Sequence, residues 1–306
     1  MSAPGQPAPA GATEIGTASP ATVGAHADDA RVATRERLAL LRSSKSFIAG
    51  AIIVGFWVLC AIFGELLLPK DPLASDPIND LLSPSADHWF GTDKLGRDVF
   101  SRVIVGARDI LIVAPLAVIL ATVVGTALGL VTGYFRGFVD DALSRVIEAV
   151  LAVPTIIMGL LVAVSLGASK TTLIFTIGIL FAPIISRTVR AAVLTERELE
   201  YVSAARLRNE RTPYILFGEI LPNVMGPIVV EFTVRLGYAI FVAAGLSFLG
   251  FGIPPPTPDW GVQVNENYGV ISGGFWWPVL FPSLAIATLV IGVNLIADGV
   301  ASAFER

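Results

Sequence analysis

Two small groups of charged residues are spaced so that their side chains could act together. Asp93, Arg97 and Asp98 lie in one short segment, and two carboxylates beside an arginine could carry out acid–base catalysis. Glu231 and Arg235 are separated by four positions, which places both side chains on one face of a helix. Charged side chains inside an apolar stretch usually face each other or a watery path. The first group therefore raises the question of catalysis, and the second raises that of a solute path.

The remaining residues with chemistry of their own indicate neither an enzyme nor a metal protein. His26 and His88 lie far apart, which argues against a metal-ligand cluster. The single cysteine, Cys60, excludes an intrachain disulfide framework and a thiol metal site. Residues 167–171 faintly resemble a phosphate-binding loop, but no glycine directly precedes Lys170. We therefore expect no catalytic residue, no metal and no cofactor in this chain, and a membrane-embedded enzyme is a weak alternative.

The composition indicates a chain that is dissolved in lipid. Of 306 residues, 54% are hydrophobic and only 15% are charged, whereas about a quarter of the residues in soluble domains are charged. The net charge of −4 suggests no nucleic-acid partner. A bilayer is crossed by about 20 apolar residues. Runs of that length predict an all-α integral membrane protein with about six transmembrane helices, near 47–68, 110–134, 143–166, 171–190, 226–249 and 278–301.

The basic residues predict the orientation of these helices. Residues 1–30 are rich in Ala, Pro, Gly and Thr and predict a disordered tail, while residues 31–46 form a basic juxtamembrane segment. If the tail is cytoplasmic, fourteen of the 21 Lys and Arg residues fall on the inner side and six on the outer side. Both termini are therefore expected in the cytoplasm. Residues 47–306 form the transmembrane domain, with external segments at 69–109 and 250–277.

The first external segment is rich in residues that form turns and helix caps. Glycines permit tight turns, and Thr and Asp side chains cap helices. We expect an ordered elbow outside the membrane rather than a catalytic site. As a functional alternative, the elbow shapes an external gate or receives a solute-binding protein. The residues concerned are Gly91, Thr92, Asp93, Gly96, Arg97 and Asp98.

The longest predicted cytoplasmic loop, 196–222, reads as two short helices joined by a turn. Residues 196–208 contain good helix formers and three small residues at 203–205. Asn209 can adopt the left-handed conformation that ends a helix. Thr212 and Pro213 predict an N-cap and a first helical position, and Pro222 should end this second helix. Such a helix with a small-residue face suits docking into a groove on a soluble partner.

The spacing in this loop resembles the EAA loop of bacterial ABC importer permeases. Ser203-Ala204-Ala205, Asn209 and 219–222 match its pattern, with Ser for Glu, Asn for Gly and Glu for Ile. In that family the loop forms a coupling helix that inserts into a cytoplasmic ATPase subunit; an ordinary amphipathic connector is the alternative. The resemblance implies docking through Glu200, Ser203, Ala204, Ala205, Leu207, Asn209, Leu221 and Pro222.

Further segments are similar to the DppC/OppC-type subunits of dipeptide and oligopeptide importers. These are His88–Arg102, Gly106–Arg108, Leu246–Gly252, Pro254–Gly261 and Trp276-Trp277, and the resemblance spans about 40–301. It implies a type I permease bundle in the bacterial cytoplasmic membrane that moves peptides by alternating access. It also implies a homologous second permease, two ATPase subunits that hold ATP and Mg, and an extracytoplasmic solute-binding protein.

Two questions stay open at this point. The same class of transporter could carry another small solute, such as a nickel chelate. A gradient-driven secondary transporter would need acidic residues near the bilayer midplane and broken helices at repeat positions, and only Glu231 qualifies. Glu231 and Arg235 could pair with each other, or they could meet the amino and carboxyl ends of a peptide in the pathway.

Overall fold

The computed structural model describes residues 40–304. The predicted tail at 1–30 and residues 31–39 of the predicted basic segment lie outside the described residues, as do 305–306. The described chain is built from α-helices, with short 3₁₀ turns at Pro77–Asn79 and Tyr268–Gly273. The α-helices are α1 (Lys45–Leu67), α2 (Val99–Tyr134), α3 (Phe138–Leu151), α4 (Thr155–Leu166), α5 (Lys170–Glu196), α6 (Glu200–Leu207), α7 (Thr212–Tyr214), α8 (Leu221–Asn223), α9 (Met225–Phe248), α10 (Trp260–Asn267) and α11 (Trp277–Phe304).

Five of these helices are long and apolar enough to cross a membrane, namely α1, α2, α5, α9 and α11. The prediction of an all-α membrane protein is confirmed. The predicted second span, 110–134, lies within α2, which begins at Val99, where the Asp98 side chain accepts a hydrogen bond from Ser101 N. The 36 residues of α2 extend about 54 Å, longer than a bilayer core requires. The helix therefore continues beyond the predicted span into the external segment 69–109, whose bounds stay a prediction.

The third predicted span, 143–166, is not one straight helix. It is divided into α3 and α4, which are bent by 88° at the break. Pro154 immediately precedes α4, and a proline has no N–H to continue the hydrogen bonds of the preceding helix. The break at Pro154 therefore divides the run that was predicted as one span. Pro115 and Pro183, in contrast, lie inside continuous helices.

The centre of the bundle is the contact between α2 and α5. Gly125, Gly129 and Gly133 recur every four residues along α2, and they allow the α5 backbone to approach closely. A Cβ atom added to Gly129 would lie 2.6 Å from Val189 Cβ, and one added to Gly133 would lie 2.7 Å from Val193 Cβ. These three glycines therefore serve the close packing of α2 on α5.

Helix α1 lies at the periphery of the bundle, against α11 and α2. Much of its apolar surface is exposed, including Ile52 and Ile62. Trp57 fixes its middle, because Trp57 Nε1 donates a hydrogen bond to Thr288 Oγ1 at 3.1 Å. Helix α1 is thus attached to the core along one side and leaves its other side to the lipid.

Candidate functional site

Helix α6, in the predicted cytoplasmic loop, divides its residues between the protein and the solvent. Val202 and Ala205 are fully buried, whereas Ser203 and Ala204 are exposed. The Leu207 side chain is 84% exposed. An exposed leucine beside small residues on one helix face is suited to insertion into an apolar groove of another protein.

The end of α6 has the geometry that the sequence predicted. Asn209 has φ +55°. The N–H of Asn209 donates to Arg206 O at 3.0 Å, and the N–H of Glu210 donates to Ala205 O at 3.2 Å. These two bonds form a Schellman motif, which closes a helix through one left-handed residue. Asparagine thus takes the place of the family's glycine without loss of the turn.

Three boundaries in this loop differ from the prediction. The first helix begins at Glu200 rather than at 196, because residues up to Glu196 belong to α5. Thr212 is the first helical residue, and Arg211 holds the cap position. Pro222 does not end the second helix, which continues through a π-helical turn at Ile215–Ile220 into α8. Pro222 is the second residue of α8.

Glu219, which stands where the family pattern has isoleucine, pairs with the turn after α6. The Arg208 guanidinium lies 2.7 Å from Glu210 Oε1 and 3.6 Å from Glu219 Oε1. The hydrogen bond to Glu210 raises the pKa of Arg208. One of the three substitutions that distinguish this loop from the family pattern, Glu219, thus supplies an ion pair across the loop.

Two arginines tie the loop to the C-terminal end of α2. Arg197 Nη1 donates to the carbonyl oxygens of Tyr134, at 2.7 Å, and of Gly133, at 3.3 Å. The Arg206 guanidinium lies 5.1 Å from the centre of the Tyr134 ring, within the range of a cation–π contact. Movement of α6 would therefore act directly on α2.

Of the residues that the resemblance assigns to docking, most face the solvent. Glu200, Ser203, Ala204, Leu207, Asn209 and Pro222 are exposed, and Leu221 is partly buried. Ala205 is fully buried, so it supports the helix from within rather than offering a surface. Nothing in the structure tests docking itself, which stays a prediction.

The predicted external elbow is ordered and buried. All six of its proposed residues lie below the surface. Gly91 and Gly96 have φ of +74° and +70°, as tight turns require. Asp93 Oδ1 accepts hydrogen bonds from the N–H of Leu95, at 2.9 Å, and of Arg97, at 3.0 Å. The prediction that this segment forms an ordered elbow is confirmed.

The elbow charges are paired with each other and with α10. Arg97 Nε lies 2.7 Å from Asp93 Oδ2, and Arg97 Nη2 lies 2.5 Å from Glu266 Oε2. Asp98 Oδ1 lies 2.9 Å from His88 Nδ1, and Asp98 Oδ2 accepts from Ser101 Oγ at 2.7 Å. These carboxylates form ion pairs and hydrogen bonds that stabilise the fold, which favours a structural role over a catalytic one. Their part in a gate or in binding-protein contact stays a prediction.

The sequence did not single out the partners of the elbow on the second external segment. Besides Glu266, Trp277 Nε1 donates to Thr92 O at 3.0 Å and Trp260 Nε1 donates to Val103 O at 2.8 Å. Gln263 Nε2 donates to Arg102 O at 3.2 Å. The only signal in the sequence for these partners was the presence of acidic and tryptophan residues between two predicted spans. Residues so far apart in the sequence pair without any local pattern that could identify them.

Asp259 caps α10 from a buried position. Its side chain accepts a hydrogen bond from Val262 N at 2.9 Å. Burial raises the pKa of Asp259 to about 6, although the hydrogen bond from Val262 N–H opposes the rise. A carboxylate in this position is charged at neutral pH only at a cost in folding free energy.

Glu231 and Arg235 form a mutual ion pair on α9. Arg235 Nε lies 2.6 Å from Glu231 Oε1, and Thr188 Oγ1 lies 3.5 Å from Glu231 Oε2. The Arg235 guanidinium also lies 5.3 Å from the centre of the Tyr238 ring. The predicted pairing is confirmed, whereas contact of these residues with a solute stays a prediction.

A described bundle of five candidate spans, or six if the bent pair α3 and α4 is one span, is consistent with a transmembrane transport permease. The chain belongs to the family of binding-protein-dependent transport system inner membrane components, whose model matches residues 125–306. Residues 34–84 match the N-terminal TM domain of oligopeptide transport permease C. Together the two matches cover the loop with α6 and the peripheral helix α1.

Named relatives are similar over nearly the whole chain. The dipeptide transport system permease protein DppC of Alkalihalophilus pseudofirmus is 40% identical over 271 residues, which cover 89% of each chain. DppC of Bacillus subtilis is 35% identical over 89% of this chain and 85% of its own. The glutathione transport system permease protein GsiD of Salmonella typhimurium is 39% identical over 86% and 87%.

Proposed function

We propose that this chain is one permease subunit of an ATP-driven importer that moves di- or oligopeptides into the cell. The single observation that carries the proposal is the exposed face of α6, a helix whose Arg206 guanidinium lies 5.1 Å from the centre of the Tyr134 ring at the end of α2. The names of the relatives, which include dipeptide and glutathione permeases, support a peptide as the solute. A nickel chelate or another small solute is the alternative within the same class.

The partners follow from the family. A second, homologous permease would complete the pathway, and two cytoplasmic ATPase subunits would bind ATP and Mg and receive the α6 helices. An extracytoplasmic solute-binding protein would deliver peptide at the outer side, near the elbow. This chain would be non-catalytic and would hold no cofactor, with lipid around it and both termini in the cytoplasm.

The mechanism uses the contacts around α6. Closure of the ATPase subunits would move α6. The contact of Arg206 with the Tyr134 ring and the bonds from Arg197, at the start of the loop, to Gly133 and Tyr134 would pass the movement to α2. Because α2 packs closely on α5 through three glycines, the two helices would move together. The same α2 begins in the buried elbow, so that one rigid helix would connect the inner docking site to the outer side.

Glu231 and Arg235 are proposed to lie beside the peptide pathway. Their ion pair is only partly buried and lies between the inner and outer ends of α9. A peptide carries an amino group and a carboxylate, which are complementary to this pair. The pair could therefore exchange its internal bond for bonds to the solute during transport.

Uptake into membrane vesicles tests the function. Vesicles with the complete set of subunits, the binding protein and internal ATP should accumulate a labelled dipeptide. Accumulation should continue when a protonophore collapses the ion gradient and should stop when ATP is withheld. Loss of uptake with the protonophore alone would instead support the gradient-driven transporter.

A further inference from the structure

A groove of about 710 Å³ lies between the peripheral helix α1 and helix α2. Val58 and Ala61 of α1 and Ile112 and Pro115 of α2 line its sides, and Ile240 of α9 contributes to its floor. The lining is aliphatic except at one end. This volume is within the range of small-molecule sites in proteins.

The one polar end of the groove is formed by an ion pair between α1 and α2. Arg108 Nη1 lies 3.0 Å from Glu65 Oε1, and the two side chains are 58% and 69% exposed. Glu65 lies in the last turn of α1, and Arg108 lies in the third turn of α2. Exposed charges in hydrocarbon are costly, so this pair belongs at the level of the lipid headgroups.

The chemistry of the groove selects its occupant. A peptide in the aliphatic part would leave its backbone groups without hydrogen bonds. An acyl chain has no such groups, and the exposed apolar rim at Ile62 and Ile112 faces the surroundings. The charged end offers one cation and one anion side by side, which is complementary to a headgroup that carries both charges.

We propose that this groove holds one phospholipid with a primary-amine headgroup of the phosphatidylethanolamine class. Its acyl chain lies in the aliphatic trough, its phosphate binds the Arg108 guanidinium, and its ammonium group donates to the Glu65 carboxylate. A choline headgroup cannot donate that hydrogen bond, and an anionic glycerol headgroup has no cation for Glu65. The bound lipid joins α1 to the core along a groove that the protein itself leaves open.

Native mass spectrometry of the assembled transporter tests the proposal. The complex would be reconstituted in nanodiscs with equal amounts of phosphatidylethanolamine, phosphatidylcholine and phosphatidylglycerol and then released. We expect one phosphatidylethanolamine per copy of this chain to be retained. Arg108→Gln and Glu65→Gln should each lower that retention about tenfold, because each removes one charge-assisted contact. Since the pair is exposed, neither change should unfold the protein.

Two further variants separate the groove from general effects of charge. Arg136 and Glu198 form an ion pair of similar exposure outside the groove, at 3.2 Å. Arg136→Gln removes that ion pair and should leave lipid retention unchanged. Ala61→Phe fills the trough, and it should displace the lipid while the melting temperature shows that the protein is folded.

Three results would overturn the proposal. The first is equal retention of the three lipids, and the second is unchanged retention in Arg108→Gln. The third is a disulfide cross-link between the thiol introduced by Ile62→Cys and the second permease, because a protein would then fill the groove.

Discussion

The guanidinium of Arg197 lies 2.7 Å from the carbonyl oxygen of Tyr134 at the last residue of α2. The bond joins the residue that follows α5 to a carbonyl group that the helix end leaves without a partner within α2. The loop 196–222 is therefore attached to the bundle by more than the continuity of the chain. This attachment makes α6 a candidate for transmitting force and not only for binding.

Replacing Arg197 with Gln should uncouple docking from transport. We expect the variant to bind the ATPase normally but to transport several-fold more slowly. The reason is the loss of charge-assisted bonds, worth about 2 kcal/mol, between residue 197 and the end of α2. The measurement is peptide uptake per ATP hydrolysed in reconstituted vesicles. Arg211→Gln, at an exposed residue of the same loop, serves as the control. Uptake per ATP that is equal in the two variants would contradict the role of Arg197.

Gly129 should tolerate no side chain. An alanine there would push its Cβ against Val189 and the Ser186 carbonyl oxygen, and such overpacking costs about 1–3 kcal/mol. We expect Gly129→Ala to lower the melting temperature and the yield of folded protein. The control is Gly55→Ala on α1, where an added Cβ meets nothing within 4 Å and alanine favours the helix. Equal melting temperatures would show that the α2–α5 contact is looser than described.

Asp259 should make the stability of the outer side depend on pH. Its folded-state pKa of about 6 is above its ordinary value of 3.8, so the folded protein binds this proton more tightly than the unfolded chain does. The contribution of Asp259 to the free energy of unfolding is therefore highest below pH 4, and it falls by about 3 kcal/mol as the pH rises through 6. Asp259→Asn keeps a capping side chain and should remove this component. Parallel stability–pH curves for the two proteins would refute it.

Much of the fold could be predicted from the sequence because lipid imposes a strong and local constraint on the composition of each span. Asn209, Gly91 and Gly96 also act through local geometry, and their roles were predicted correctly. The bend at Pro154 was missed because the sequence around it resembles that around Pro115 and Pro183, which lie inside the continuous helices α2 and α5. Only tertiary packing distinguishes the three prolines. The pairing of Arg97 with Glu266 joins two distant loops, and no local pattern encodes such a pair. Burial of Ala205 rather than exposure was likewise decided by tertiary packing.

The ion pair on α9 gives a test of the proposed pathway. In the double variant Glu231→Gln with Arg235→Gln, no charge is left without its partner, so the subunit should be made at a normal level. If the pair meets the peptide, the KM for uptake should rise about tenfold in the double variant and in Arg235→Gln alone. Unchanged uptake at normal subunit levels would remove these residues from the pathway and leave them a structural role.

Co-purification of the ATPase with this chain tests the central claim most directly. Leu207→Glu and Ala204→Glu alter the exposed face of α6, whereas Ala205 is avoided because its burial would confound docking with folding. Leu95→Glu, at an exposed residue of the external elbow, is the matched control. The account predicts that the native chain and the Leu95→Glu variant retain the ATPase in mild detergent and that both α6 variants lose it. Absence of an ATPase from the native complex, or its full retention by Leu207→Glu, would contradict the account.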